Sequence, residues 1–386
     1  VCSESLLAAR SRAALCVVIL FASLPVAAQV ETPVNPDSLG ESTLQLPLQI
    51  TGFAEGKFAY DFASGQNSFD ASSLNFSFFK AFSDRLSFFG QVAVAVNEET
   101  AFVNGTTQTQ GGGASVEADI DNLQITWAAS PSHGLQIVFG KFDSPMTLER
   151  DDAPLNLEAT RSYVFDFGEP VKFAGIMARQ VFSQEFEGMV IVSNGWDVFP
   201  DNNKAKTGAV WGVWSPSPNV HFGFGGIFGA EKDNNNHDQR ETGIATIQVQ
   251  ASDSWLWGGE AVYGNEANSA VAGGAAKWIG GEIVSFHKFG GRWASAVRFD
   301  YFDDVGGART GVRQVLKDVT VSPQYLIGSG FFGPYHTLDY STVRIPEMSV
   351  RLDLRYDWST EPVFANSQGV GQKSKFTTTL QVVYVF

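Results

Sequence analysis

The sequence predicts an all-β chain closed as a single transmembrane antiparallel β-barrel of about sixteen strands, within a range of roughly 14–18. Three observations predict it. The chain opens on a segment built for export, hydrophobicity then recurs with a period of two, and the connections alternate between short and long.

The export segment comes first. Arg10 and Arg12 precede an apolar run from Ala13 to Leu24, and Val26-Ala27-Ala28 supplies the small residues before a cleavage point after Ala28. A transmembrane helix takes about 20 apolar residues. The run is shorter, so residues 1–28 read as a signal peptide. Residues 29–45, with Pro33 and Pro36, read as a loose lead-in, and 46–386 as the barrel. Cys2 and Cys16 both fall before the cleavage point. The exported chain then holds no cysteine, which excludes disulfides, thiol catalysis and cysteine metal ligation from it.

Net charge is −15 for the whole sequence. Removing Arg10, Arg12 and Glu4 with the export segment leaves −16. Such an acidic balance disfavours nucleic acid as a partner and leans weakly toward cation passage. Glycine and aromatic residues are abundant, with 39 Gly, 32 Phe, 9 Trp and 9 Tyr beside 26 Lys+Arg. That balance suits a membrane sheet, where aromatic rings sit at the headgroup level.

The period of two is clearest near the end. Phe376, Thr378, Leu380, Val382, Tyr384 and Phe386 form one face, against Lys375, Thr377, Thr379 and Gln381. Val350, Leu352, Leu354, Tyr356 and Trp358 alternate with Ser349, Arg351, Asp353, Arg355 and Asp357. Four successive charged positions on one face are costly in a dry interior, whereas a water-filled lumen tolerates them. Trp293, Val297, Phe299 and Tyr301 alternate with Arg292, Arg298 and Asp300, and Lys57 and Glu55 share the polar face of the first strand. One strand departs from this rule: Arg179 shares a face with Val171, Phe173 and Met177, which points to a misphased or bulged strand or to one set against another subunit.

The pattern places strands at 46–62, 72–82, 86–97, 114–128, 134–143, 169–181, 185–194, 207–215, 220–230, 242–252, 255–264, 274–286, 291–303, 312–327, 347–359 and 374–386. Short turns at 83–85, 129–133, 182–184, 216–219 and 287–290 alternate with longer stretches at 98–113, 144–168, 195–206, 231–241, 265–273 and 360–373. Short periplasmic turns and long external loops are the asymmetry of such barrels. The stretch 328–346, with Phe331, Phe332, Tyr335 and Tyr340, is too long for the compact turn its position calls for, so it is either an ordered periplasmic excursion or a place where the strand count is wrong.

A barrel of this size encloses a channel unless something narrows it. The candidate is the loop 144–168, which carries Glu149, Arg150, Asp151, Asp152, Glu158, Arg161 and Asp166, with Leu148, Leu155, Leu157, Tyr163 and Phe165 to pack against a wall. Folded inward, its charges would set pore diameter and field. Folded outward, they would face water. The wall candidates are Lys57, Arg292, Arg298, Asp300, Arg351, Asp353, Arg355 and Asp357. Their mixed signs either create a transverse field or pair with one another and stiffen the wall.

Signals for chemistry are weak. The five histidines, His133, His221, His237, His287 and His336, show no metal-ligand spacing. Asp233–Asp238 lacks the order of a calcium loop and reads as a solvated loop with at most weak cation binding. Ser132-His133 falls in a short turn, a poor place to preorganise a nucleophile. Gly273-Gly274 and Gly306-Gly307 are not followed by a phosphate-loop lysine. No enzyme activity, cofactor or metal is expected.

Phe139-Gly140-Lys141-Phe142-Asp143-Ser144-Pro145, a strand running into the long loop, and the closing stretch from Gln372 to Phe386 carry a family likeness. On these the chain resembles the OmpL-like porins, a family of outer-membrane β-barrels, over essentially its whole exported length. The resemblance implies a passive pore for small hydrophilic solutes or ions in the outer membrane of a Gram-negative bacterium. Its expected partners are membrane lipids and lipopolysaccharide, the barrel-insertion machinery that reads the aromatic finish at Tyr384 and Phe386, and further copies of the chain. The rival reading is a surface or adhesion barrel without a substantial open pore. A soluble β-sandwich is disfavoured by the charged row Arg351–Asp357, and energy-coupled transport by the little chain available for a plug before the first strand.

Overall fold

β-Branched and aromatic residues in alternation form strands, because the pleat sends neighbouring side chains to opposite faces. The computed structural model describes residues 47–103, 106–328, 330–332 and 343–386, and the expected signal peptide and lead-in lie outside these. The strands are β1 (Gln49–Asp61), β2 (Asn67–Ala81), β3 (Leu86–Val103), β4 (Thr106–Ser130), β5 (Leu135–Asp143), β6 (Lys172–Val181), β7 (Phe186–Ser193) and β8 (Thr207–Ser217). They continue with β9 (Val220–Ala230), β10 (Gln239–Ser252), β11 (Trp255–Glu266), β12 (Ala276–Gly290), β13 (Trp293–Asp304) and β14 (Gln314–Ile327). After the short β15 (Gly330–Phe332) and β16 (Val343–Ile345) come β17 (Met348–Ser359), the short β18 (Phe364–Ala365) and β19 (Gly371–Gln372), and β20 (Ser374–Val385).

Sixteen of these, β1–β14, β17 and β20, form one closed barrel in which each strand pairs with its neighbours in chain order. β1 closes the ring on β20, antiparallel, with Phe53 opposite Val385 and Asp61 opposite Thr377. Closure leaves no edge strand, so every ladder group in the bilayer finds a partner. All sixteen strands expected from the alternation are present.

One connection differs from expectation, and at a second the structure chooses between two alternatives. The stretch 98–113 is not a loop: β3 and β4 carry their hairpin through it, pairing Thr100 with Thr109 and Val103 with Thr106. In the stretch 328–346, β15 and β16 form a separate two-stranded ribbon, with Gly330 opposite Ile345.

One face of the sheet presents its apolar side chains outward. Phe139, Val190, Ile283, Val297 and Leu380 are all exposed there, which only a lipid environment makes favourable. Toward the short-turn rim this band becomes aromatic, with Trp214 on Phe222 (5.4 Å), Trp255 on Trp257 (5.7 Å) and Trp293 on Tyr325 (5.0 Å) between ring centres.

The inner face divides into two chemistries. From β5 to β11 it is largely apolar: Val138, Phe173, Met177, Met189, Ile191, Trp211, Ile227, Ile244 and Val262 belong to one buried cluster with Met146 and Val164 of the connection between β5 and β6. On β13, β14 and β17 it is charged and polar. β6 is therefore correctly phased. Arg179 points inward with Phe173 and Met177, and pairs with Glu187 on β7.

Candidate functional site: a loop tied across the lumen

The connection from Asp143 to Lys172 runs inside the barrel. Its own hydrogen bonds first give it shape. Arg150 N–H donates to Asn156 Oδ1 (2.8 Å), and Asn156 Nδ2 returns bonds to the carbonyls of Arg150 (2.7 Å) and Asp152 (2.8 Å). Arg150 Nη1 donates to the Ser144 carbonyl (2.9 Å) and Arg161 Nη2 to that of Asp151 (2.9 Å). These two arginines thus serve the loop's own peptide groups. The segment ends in a π-helical turn, Val164–Gly168.

The charged wall then receives the loop. Arg298 on β13 donates through Nη1 to Glu149 (2.9 Å) and to the Thr160 carbonyl (2.8 Å), and through Nη2 to the Arg161 carbonyl (3.1 Å). It also ion-pairs with Glu158 at 2.9 Å and with Asp318 on β14 at 3.4 Å. Asp300 accepts the Tyr163 N–H (2.6 Å), and Asp357 accepts the Tyr163 hydroxyl (2.6 Å). Asp353 accepts the N–H groups of Ala159 (3.0 Å) and Thr160 (2.8 Å) and the Thr160 hydroxyl (2.8 Å). Arg351 donates to the Ala153 carbonyl at 2.9 Å, and Arg355 to that of Arg161. Arg355 also lies 4.9 Å from the Tyr163 ring centre.

Elsewhere around the ring the same loop meets Gln91 on β3, whose Nε2 donates to Asp152 (2.9 Å), and Glu260 on β11, which accepts the Leu148 N–H (2.6 Å). Lys172, at the start of β6, pairs with Asp121 (2.9 Å), Asp143 (2.7 Å) and Asp151 (2.9 Å). Trp278 on β12 donates to the Gly168 carbonyl at 3.1 Å. The loop is therefore held on opposite sides of the barrel.

The row Arg351–Asp357 was expected to be hydrated by lumen water. It is buried instead; loop peptide groups bond Arg351, Asp353 and Arg355, and Asp357 takes the Tyr163 hydroxyl, which offsets part of the desolvation of the charges. Of the wall candidates, Arg298, Asp300, Arg351, Asp353, Arg355 and Asp357 converge on the loop. Lys57 pairs with Glu55 on its own strand at 2.7 Å. Arg292 is not on the wall: it sits exposed in the two-residue turn between β12 and β13, where its carbonyl accepts the Leu326 N–H (2.8 Å). Of the loop candidates, Asp152 and Glu158 are buried, Glu149, Arg150 and Arg161 half-buried, and Asp166 exposed. Asp151 keeps 42% of its side chain accessible while it pairs with Lys172. Tyr384 and Phe386 stack outward near each other (6.2 Å), and Phe386 also meets Phe76 (5.8 Å).

Burial raises the Glu158 carboxyl well above its ordinary range, with Arg298 opposing. Glu169, between the π-helical turn and β6, is also raised, by burial and then by Glu260. Asp166 is pushed up to about 6 by its enclosure within the barrel and by Glu149, against Arg355, Arg161 and Arg298.

Sequence reasoning missed Asp318, Glu260, Glu282, Gln91 and Lys172. Asp318 carried a usable signal, since Val319 and Val321 face lipid while Asp318, Thr320 and Ser322 alternate inward. Lys172 and Gln91 carried none, because their importance comes from partners far away in the chain.

No curated protein matches the sequence. Among solved structures, OmpF of Salmonella typhi, in complex with daunomycin, is similar with a TM-score of 0.57 at 13% identity over 88% of this chain and 97% of that one. An anion-selective porin from Comamonas acidovorans gives 0.56 at 9% identity, over 88% and 99%. The trimer form of OmpT, an outer membrane protein of Vibrio cholerae, gives 0.51 at 12% identity, also over 88% and 99%. At these identities the likeness is one of fold. The sequence itself matches the family described as "Putative beta-barrel porin-2, OmpL-like" over residues 47–386, the entire barrel. The chain belongs to this OmpL-like family of outer-membrane β-barrel porins.

Proposed function

We propose that this porin passes small hydrophilic solutes and ions by passive diffusion, and that the loop 144–168 is its constriction. The observation that carries the reading is a closed sixteen-stranded barrel whose long inward loop is bonded to Gln91 of β3 and to Glu260 of β11, eight strands away around the ring. A segment so held sets both the width of the passage and the charges along it. The paired charges of β13, β14 and β17 act in this reading as anchors of the constriction, and Asp151 and Asp166, which stay accessible, as its water-facing charges.

The proposal extends to setting. The export segment 1–28 directs the chain to the outer membrane of a Gram-negative bacterium, where lipids and lipopolysaccharide cover the apolar band. The aromatic outer face of β20, with Tyr384 and Phe386, is offered to the insertion machinery. Assembly with further copies is in keeping with the trimer form of the Vibrio cholerae neighbour. No catalytic role is assigned.

The apolar cluster between the loop and β5–β11 fills part of the lumen, the one observation that favours a closed surface barrel instead. Single-channel recording of purified protein in planar bilayers separates the two. Stable conductance steps support the porin, and their absence from folded protein supports the closed barrel. Excising part of 144–168 is expected to enlarge the steps, and an unchanged conductance overturns the constriction.

A further inference from the structure

The register of the inner wall brings acids together. Glu260 on β11 lies opposite Glu282 on β12, Glu282 opposite Asp300 on β13, Asp300 opposite Asp318 on β14, and Asp318 opposite Asp357 on β17. Five adjacent strands thus carry five carboxylates in one cross-strand row, an arrangement in which like charges repel. At the β17 end the row is compensated. Arg355 pairs with Asp318 and Asp357, and Arg298 with Asp318.

At the other end it is not. Glu282 is 3% exposed, its Oε2 has no hydrogen-bond partner, and no cation pairs with it among the described residues. The nearby Arg298 is already shared among Glu149, Glu158 and Asp318. A carboxylate so enclosed is stable only when a proton or a cation neutralises it.

Glu282 also lines a cavity of about 140 Å³ between Leu148–Glu158 of the loop and strands β10–β13. Leu148, Leu155, Leu157, Leu256 and Val284 form its apolar side, and Glu282 is its unpaired acid, since Glu149 and Glu158 are already paired with Arg298, which shares the lining. This is the mixture of a small-molecule site, apolar walls with a few convergent polar groups, with room for a ligand of only a few heavy atoms. Among the described residues no three carboxylates converge closely enough to hold a metal ion, and the leucines offer nothing to a hydrated one.

We propose that this cavity binds small organic cations, primary amines with a short apolar body, with the ammonium at Glu282 and the hydrocarbon against the leucines. The proposal rests on the porin reading for its role, as a site that retains amines within the passage. The ammonium pairs with the Glu282 carboxylate, which no cation neutralises among the described residues, and the alkyl chain replaces water over the leucines.

The test is blockade of single-channel current by n-butylammonium in a potassium chloride bath, with 1-butanol as the neutral counterpart and methylammonium as the cation lacking a body. Butylammonium is expected to produce concentration-dependent interruptions that 1-butanol does not. Methylammonium should require at least tenfold higher concentration. Glu282→Gln should weaken the block by butylammonium at least tenfold, and Leu256→Ala should narrow the gap between butylammonium and methylammonium. Equal block in the wild type and Glu282→Gln, or equal block by 1-butanol, overturns the site while conductance itself leaves the porin standing. Should no conductance appear, the porin reading fails, and calorimetric titration of the detergent-solubilised protein with butylammonium decides the site alone. Saturable binding that is lost in Glu282→Gln supports it, and none in the wild type overturns it.

Discussion

Thr160 and Asp353 lie 193 positions apart, yet one carboxylate oxygen of Asp353 accepts both the N–H and the hydroxyl of Thr160, each at 2.8 Å. The same oxygen takes the Ala159 N–H as well. Three donors on one anionic oxygen make a charge-assisted anchor for the middle of the loop.

Asp353→Ala leaves those donors unpaired in a buried setting. A hydrogen bond to a charged group contributes about 1.5–3 kcal/mol, and the anchor acts as a unit. Stability should therefore fall by roughly 3 kcal/mol, read from denaturant unfolding in lipid vesicles. Single-channel current should become noisier and larger as the loop moves. Quiet, wild-type current would show that the anchor does not hold the passage.

Asp166 should make selectivity depend on pH. Its side chain meets lumen water although the surrounding barrel encloses it, and its carboxyl is pushed up to about 6 by that enclosure and by Glu149. Below about pH 6 it is neutral, and above it carries a negative charge beside Arg355, Arg161 and Arg298. Reversal potentials in a salt gradient should shift toward cation preference between pH 5 and pH 7 (roughly one unit either side of that titration). Asp166→Asn should flatten this part of the profile. A profile unchanged by the substitution removes Asp166 from the passage.

The outward band sets a third expectation. Ile283 is exposed midway along β12, opposite Gly259 and Phe299 on its neighbours. Arginine on the lipid face near the bilayer centre costs roughly 2–4 kcal/mol, so Ile283→Arg should lower stability in vesicles by that amount. The same change at exposed Arg292's neighbour in the turn, Gly291→Arg, tests backbone conformation instead, because φ there is 59°.

Trp278 supplies the fourth. It is fully buried, and a Cβ at Gly264, its cross-strand partner, would fall within 2.0 Å of two of its ring carbons. Gly264→Ala must push the indole aside and break its bond to the Gly168 carbonyl. Overpacking of this kind costs about 1–3 kcal/mol. Tryptophan fluorescence should shift to the red along with the lost stability, and an unshifted spectrum would mean that the ring stays in place.

The strands were legible because lipid enforces alternation more strictly than water does. Leu352, Leu354 and Tyr356 had to face hydrocarbon, so Arg351, Asp353, Arg355 and Asp357 had to face inward. Legibility failed where the inner face is apolar too. On β7, Met189 and Ile191 point in while Val190 and Val192 point out, and a run without contrast carries no phase. The loop's composition announced its charges but not their partners. Asp152 reaches Gln91, 61 positions back, and Glu149 reaches Arg298, 149 positions ahead, and pairings at such separations exist only once the ring has closed. Arginines and acids on one strand read equally well as a field or as paired anchors, and the loop backbone decides for the anchors.

The divided wall has a mechanical consequence. A hollow hoop of sixteen strands flattens readily under the lateral pressure of a bilayer, because bending at a few ladders relieves the load. Here a strut crosses the hoop, fastened by charge on one side and by close-packed methyl, thioether and aromatic groups on the other. Squeezing the ring along the strut compresses a packed interior, and stretching it pulls charged pairs apart. The ring is thereby braced from within, and the segment proposed as the constriction would also set the rigidity of the hoop.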